Sequence, residues 1–522
     1  MTFNSMIPKF SLSLIFLLSF YPSAKSLELK NYQRRPKLVV QLVFDQMRAD
    51  QILRGIENAK SMKKSLKSMG YSYLMNGGAY FPFAKYDVLH AMTCPGHATI
   101  ATGAWPSNHG IMANDWYDRW DKAAQYCASD ADYGFSPRKL LADTVSDEFK
   151  LSQMPSKVIS VSIKDRAAIM MGGHHADQAF WVSDKTMQWT SSAYYRKGNL
   201  PEWVKAYNSK TFPAVEAGKE PKDWTGDSEG VKKTGEFALL ALQSEKMGKT
   251  PGATDFLNVS FSTRDIIGHT LGPNSSESRA VFYDEDAAID ELLRAIRAQL
   301  GTLDDVLVVV TGDHGIPPEV ETVKALGKQA EISGNATANG SASGKISEAD
   351  EKKALNQFLN KEFKQSADFD WVLSMRNLHV IFNQAEIEKK GVSFDRVIQK
   401  ARQYFMREVW VDQVLQPFSS APSTFEQRYL EQMKNSLVER SAGDLVLMPK
   451  PFFMSGTVNK VNHQTGYSYD ANVPLILWGR WFRPGVYLQM TKVVDIAPTI
   501  SAVMGVLPPN RSQGRVLVEA VH

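Results

Sequence analysis

Five short apolar runs, rich in β-branched residues, mark the chain: KLVVQLVF (37–44), KVISVSI (157–163), DFLNVSF (255–261), DVLVVV (305–310) and VPLILWG (473–479). Each is bounded by polar or turn-forming residues. Runs of this length suit strands buried on both faces of a parallel sheet. Between them lie stretches with helical spacing, such as YDEDAAIDELLRAIRAQL (283–300). Strands alternating with helices predict an α/β fold, a mostly parallel sheet sandwiched by helices, with inserted cap segments.

Two stretches break this rhythm. Residues 167–250 include the aromatic-rich FWVSDKTMQWTSSAYY and are expected to leave the sheet as a cap over its edge. Residues 317–455 are more mixed and charged, with the Gly/Ser/Asn/Ala-rich GNATANGSASGKISEAD (334–350) and helical pieces such as FDRVIQKARQYFM. The expected organisation is an α/β core over 37–316, an inserted segment over 317–455, and the last part of the core over 456–522. The N-terminus stands apart. Lys9 precedes an apolar run, residues 10–20, and Ala24-Lys25-Ser26 fits a small-x-small cleavage site. Residues 1–26 therefore predict a cleaved signal peptide and a periplasmic or secreted protein. The run is too short to span a membrane, and no second run reaches spanning length.

Composition narrows the partners. The chain has 522 residues and a formal net charge of +4, from 60 basic and 56 acidic side chains. Cleavage after residue 26 removes Lys9 and Lys25 and no acid, leaving 4 − 2 = +2. That balance argues against nucleic acid as the main partner. Cys94 and Cys127 are the chain's two cysteines. In an exported protein they either pair or remain two buried thiols.

The acidic residues fall at informative places. The first apolar run leads into Asp45, the third into STRD ending at Asp265, and the fourth into TGDHG with Asp313 and His314. Ligands bind at the C-terminal edge of open α/β sheets. Asp265 and His269 are four apart, so a helical turn puts both on one face. Gly315 permits a turn that brings Asp313 and His314 together, and His463 in VNHQTGYS adds another imidazole. Mixed carboxylate and imidazole donors suit Zn²⁺ rather than Mg²⁺. Asp45, Asp265, His269, Asp313, His314 and His463 provide enough ligands for two ions with three each. The stretch HAMTCPGHATIATG (90–103) reads as a helix start, with Thr93 as N-cap and Pro95 in the first turn. Such an N-terminus favours an anion.

The order Asp, Thr, Asp-x3-His, Asp-His, His resembles the alkaline phosphatase superfamily, in its nucleotide pyrophosphatase/phosphodiesterase branch. SIKDR, with Lys164 and Arg166 at alternate positions past a strand, and IMANDW, with Asn114, resemble the phosphate-irrepressible Thr-nucleophile alkaline phosphatases of Gram-negative bacteria. The resemblance implies that Thr93 is the nucleophile and itself a zinc ligand. It implies that Asp45, Asp313 and His314 hold the ion beside Thr93, while Asp265, His269 and His463 hold the other. Asn114, Lys164 and Arg166 would contact the phosphoryl oxygens. The implied protein is a monomeric, two-zinc hydrolase of small-molecule phosphate monoesters, with a phosphodiesterase or nucleotide pyrophosphatase, or a phosphotransferase, as alternatives. His90, His97 and His109 are read as helix or turn residues without a ligand role.

Overall fold

The apolar runs assemble into one large sheet. The structure is a computed structural model that describes residues 34–196, 199–212, 219–325, 344–417 and 426–522. The expected signal peptide, 1–26, and residues 334–343 of the low-complexity stretch lie outside them. Among the described residues, no helix is long and apolar enough to cross a membrane.

The principal strands are β1 (Leu38–Phe44), β2 (Ala79–Lys85), β3 (Val158–Ser162), β4 (Gln178–Val182), β5 (Asp255–Phe261), β6 (Val306–Thr311) and β7 (Asn472–Trp478). Their order across the sheet is β2-β7-β6-β1-β5-β3-β4, with short strands at both margins. β6, β1, β5, β3 and β4 are parallel neighbours, whereas β7 runs antiparallel to both β6 and β2. β2 therefore points the same way as β6. Side chains alternate between two cores. Leu38, Val40, Leu42 and Phe44 of β1 join one apolar cluster, and Val39 and Val43 join the other.

Three sequence expectations change here. VPLILWG forms β7 but runs against the others; a strand buried on both faces is apolar whichever way it points. β4 lies within 167–250, yet it pairs parallel with β3 and extends the sheet rather than leaving it. The end of the low-complexity stretch is ordered: Ser347 accepts a hydrogen bond from the Asp350 N–H and caps a helix over Glu348–Glu362.

The inserted region contains an antiparallel four-stranded sheet of Val372–Arg376, His379–Phe382, Leu445–Pro449 and Val411–Leu415. It has an apolar core of its own, including Trp371, Phe382, Phe405 and Leu447.

Four helices support the site edge: α1 (Thr93–Thr102), α2 (Asp165–Gly172), α3 (Thr263–Leu271) and α4 (Ser276–Leu300). A buried ion pair ties α3 to α4. Arg264 Nε donates to Glu285 Oε1 (3.0 Å), its second nitrogen donates to Oε2, and Tyr71 Oη donates to the same Oε2 (3.0 Å). Both charged side chains are almost fully buried. Removing one partner strands the other charge, so Glu285→Ala should cost about 3–5 kcal/mol. The check is a lower denaturant midpoint at unchanged m-value; an unaltered midpoint would rule this out.

Candidate active site

Every predicted site residue lies at one edge of the sheet. β1 delivers Asp45, β2 leads to Thr93, β3 to Lys164 and Arg166, β5 to Asp265, and β6 to Asp313 and His314. His463 precedes β7, and because that strand is reversed its preceding loop lies at the same edge.

Donor atoms of Asp45, Asp313 and His314 lie within 4.8 Å of one another, as do those of Asp265, His314 and His463. His269 Nε2 is 3.2 Å from Asp265 Oδ1, one helical turn along α3, and His463 Nε2 is 3.6 Å from the same oxygen. His314 stacks on His463 with ring centroids 3.6 Å apart. His314 thus belongs to both clusters.

The imidazoles share one arrangement. His269 Nδ1 faces the Val461 carbonyl (2.8 Å), His463 Nδ1 the Ala91 carbonyl (2.8 Å), and His314 Nδ1 the Gly315 carbonyl (2.9 Å). A carbonyl only accepts, so each Nδ1 carries a proton and each Nε2 is the end turned inward. That is how metal-binding histidines are held. Two carboxylate oxygens, Asp45 Oδ1 and Asp313 Oδ2, are buried without a hydrogen-bond partner among the described residues. Buried anionic atoms require compensation, and the mixed donor set fits zinc.

Electrostatics agrees. Burial and Asp265 oppose ionisation of Asp45, but Lys164 and His314 outweigh them and hold its carboxyl below the usual range. Burial disfavours a charged His314, yet Asp313 and Asp45 push it up to about 9. A metal ion held there would have to displace a proton from that nitrogen. Burial, then the neighbouring His314 and His269, keep His463 neutral, the form that ligates.

Thr93 is 1% exposed, with Oγ1 3.4 Å from His314 Nε2. It is not the N-cap: Met92, with extended backbone, takes that place, and Thr93 is the first helical residue. Its hydroxyl is therefore turned toward the ligands rather than spent on helix N–H groups. Gly96 has a packing reason, since a Cβ there would sit 2.4 Å from the Asp313 carbonyl. Gly315 likewise makes room, with Tyr469 O 2.2 Å from a would-be Cβ, and its backbone is not left-handed.

Lys164 Nζ bridges the clusters, donating to Asp45 Oδ2 (2.6 Å) and to Asp265. Arg166 keeps a buried Nε without a partner among the described residues. The two cations do not alternate along a strand. Lys164 caps α2 with extended backbone and Arg166 sits in its first turn, because the helix begins at Asp165. Both nevertheless line one groove of about 1140 Å³, walled by Tyr126, Phe135 and Trp181. Asn114 is half-buried, and its Oδ1 accepts from the Cys94 N–H (2.8 Å).

Two residues were missed. Gln46 donates its backbone N–H to Asp313 Oδ1 (3.0 Å) and its side-chain amide to Asp265 Oδ1 (2.6 Å), orienting one carboxylate of each cluster. Its φ of 70° is left-handed, a conformation costly for glutamine. His97 is a helix residue, as expected, but its Nδ1 faces the Thr93 carbonyl (2.8 Å) and lies 3.2 Å from Asp313 Oδ2.

A mostly parallel sheet with carboxylates and imidazoles gathered at one edge around a buried threonine defines a phosphoesterase of the alkaline phosphatase superfamily. The profile of the type I phosphodiesterase / nucleotide pyrophosphatase family matches residues 39–455, and the chain belongs to that family. It is 28% identical to alkaline phosphatase PafA of Elizabethkingia meningoseptica over 93% of this chain and 95% of that one. It is 27% identical to alkaline phosphatase PhoV of Synechococcus elongatus over 93% of each. The crystal structure of PafA superposes with a TM-score of 0.81 at 26% identity, covering 94% of this chain and 99% of the other. The chain is an alkaline phosphatase-type phosphoesterase.

Proposed function

We propose that the protein is an exported, two-zinc alkaline phosphatase that hydrolyses small-molecule phosphate monoesters through a phosphothreonine at Thr93. The observation that carries this reading is the inward-facing Nε2 atoms of His269, His314 and His463, beside one oxygen each of Asp45 and Asp313 that has no hydrogen-bond partner among the described residues, with His314 next to Thr93. Asp45, Asp313 and His314 hold one ion, and Asp265, His269 and His463 the other. Ions there supply the positive charge that activates a hydroxyl or water and steadies a leaving oxygen.

The chain's own residues do the rest. Thr93 Oγ1 attacks phosphorus while the alcohol departs; water then attacks the phosphothreonine and releases inorganic phosphate. The N-terminus of α1 favours the incoming anion. Asn114 Nδ2 and Arg166 donate to non-bridging oxygens. Lys164, a point charge on a flexible stem, reaches them from its place between Asp45 and Asp265. The groove that Lys164 and Arg166 line offers room for the rest of the substrate.

Metal analysis of the purified protein should find close to two zinc ions per chain. Chelation should abolish phosphate release, and added Zn²⁺ should restore it. Full activity in a metal-free preparation would sink this reading. Phosphate release without any acceptor alcohol distinguishes a hydrolase from an obligatory phosphotransferase.

A further inference from the structure

Asn114 is held by two cysteines at once. It immediately precedes a hairpin of Asp115–Asp118 and Ala123–Tyr126, and Cys127 follows that hairpin. The Cys127 N–H donates to the Asn114 carbonyl (2.9 Å), adding one rung to the ladder. The Cys94 N–H, one of the free donors at the start of α1, donates to Asn114 Oδ1 (2.8 Å). Cys94 and Cys127 are joined by a disulfide, and both are fully buried. The ring is closed: sulfur bridges the two cysteines, and each gives its N–H to the same asparagine.

This ring fixes which way the amide faces. An amide oxygen accepts and its nitrogen donates. With Oδ1 held by the Cys94 N–H, Nδ2 is the outward end. Cys94 is the residue after Thr93, so the crosslink also sets the distance between the hydroxyl and the amide donor.

We propose that the Cys94–Cys127 disulfide is a positioning element of the reaction, holding Asn114 Nδ2 at the phosphoryl oxygens beside Thr93. The inference rests on the phosphoryl role of Asn114 proposed above. Electrostatic contacts in such sites act through fixed geometry, so a donor free to swing contributes less than a clamped one. The loss belongs to kcat rather than KM when the contact strengthens in the transition state.

The test is a double-mutant cycle on the zinc-loaded enzyme with p-nitrophenyl phosphate. Asn114→Ala should lower kcat/KM by about 10²-fold. Cys94→Ala/Cys127→Ala should lower it by about tenfold, mainly in kcat. In the Asn114→Ala background, the same pair of changes should cost less than about twofold. The thermal midpoint should drop equally in both backgrounds, because the crosslink stabilises the fold with or without the amide. Asn114→Asp retains the acceptor for Cys94 but not the donor, so it should be no more active than Asn114→Ala.

Equal kinetic losses from the cysteine changes in both backgrounds would overturn the clamp and leave the role of Asn114 standing. An undiminished Asn114→Ala enzyme would overturn both. If the double alanine variant folds poorly, the comparison is made on wild-type and Asn114→Ala holoenzymes reduced with a water-soluble phosphine. That reagent leaves two thiols and becomes the phosphine oxide, taking its oxygen from water. The same pattern of unequal losses is expected, and equal losses would again overturn the clamp.

Discussion

Thr93→Ala is expected to abolish turnover of a phosphate monoester while leaving zinc content unchanged. The attacking oxygen would be gone, and no described side chain in its position replaces it. Cys94, its neighbour, is locked in a disulfide. The carboxylates and imidazoles of both clusters come from other segments of the chain, so their geometry is expected to survive loss of the threonine hydroxyl. Loss of a nucleophile that acts together with its activating groups costs on the order of 10³-fold or more in kcat. Thr93→Ser keeps the hydroxyl and should stay within about tenfold of the wild type. The measurements are rapid-quench trapping of labelled phosphoenzyme and metal analysis of each variant. A phosphoenzyme in the alanine variant would displace Thr93 from the centre of the mechanism.

The second large effect separates monoesters from diesters. A monoester brings nearly two negative charges to the site, whereas a diester brings one and carries a substituent on another oxygen. Lys164 and Arg166 present a point charge and a planar fork to one groove. Phosphoryl transfer depends mainly on positioning and electrostatics. The double substitution Lys164→Ala/Arg166→Ala should lower kcat/KM for a monoester by at least about 10²-fold more than for a matched diester. Equal losses on both substrates would mean that the pair serves the fold or the carboxylates, and the phosphodiesterase alternative would move ahead. Lys164 does bridge Asp45 and Asp265. Arg166→Ala alone, which spares that bridge, should therefore show the same substrate preference in weaker form.

Much of the fold is legible because burial on both faces writes apolar runs into the sequence. β1, β3, β5 and β6 are read to within a residue or two, and the carboxylates that follow β1 and β6 stand directly at their ends. β2 was not legible. AYFPFAK contains a proline, which argues against a strand, and the structure accommodates it with a register shift opposite Val473 and Leu475. The direction of β7 left no mark, because both of its faces are covered whichever way it points.

At the site, charge and spacing pointed to the carboxylates and imidazoles that the fold gathers at one edge, while Thr93, Asn114, Lys164 and Arg166 were pointed to by the family resemblance. Gln46 escaped because it is an uncharged side chain whose two hydrogen bonds go to carboxylates distant in sequence, and its left-handed backbone is one that a glycine or asparagine would have announced. His97 escaped because it acts through the Thr93 carbonyl and Asp313 rather than at spacing typical of a ligand. The backbone joining Lys164 and Arg166 could not be read from their alternate positions, since a helix begins between them.

The region between 317 and 455 joins the core beside the ligands at both ends: His314 lies just upstream and His463 just downstream. Its sheet and main apolar cluster are built from its own residues, while Leu89 packs with Val446 and Met448, and Arg376 and Arg440 pair with Asp115 and Asp118 of the hairpin after Asn114. A lineage can therefore lengthen, shorten or exchange this stretch without disturbing a rung of the large sheet. Each such change would alter the surroundings of the carboxylate and imidazole cluster and, through Asp115 and Asp118, the hairpin that follows Asn114. Chimaeras cut at these two junctions are therefore expected to change substrate preference, provided they keep partners for Asp115 and Asp118.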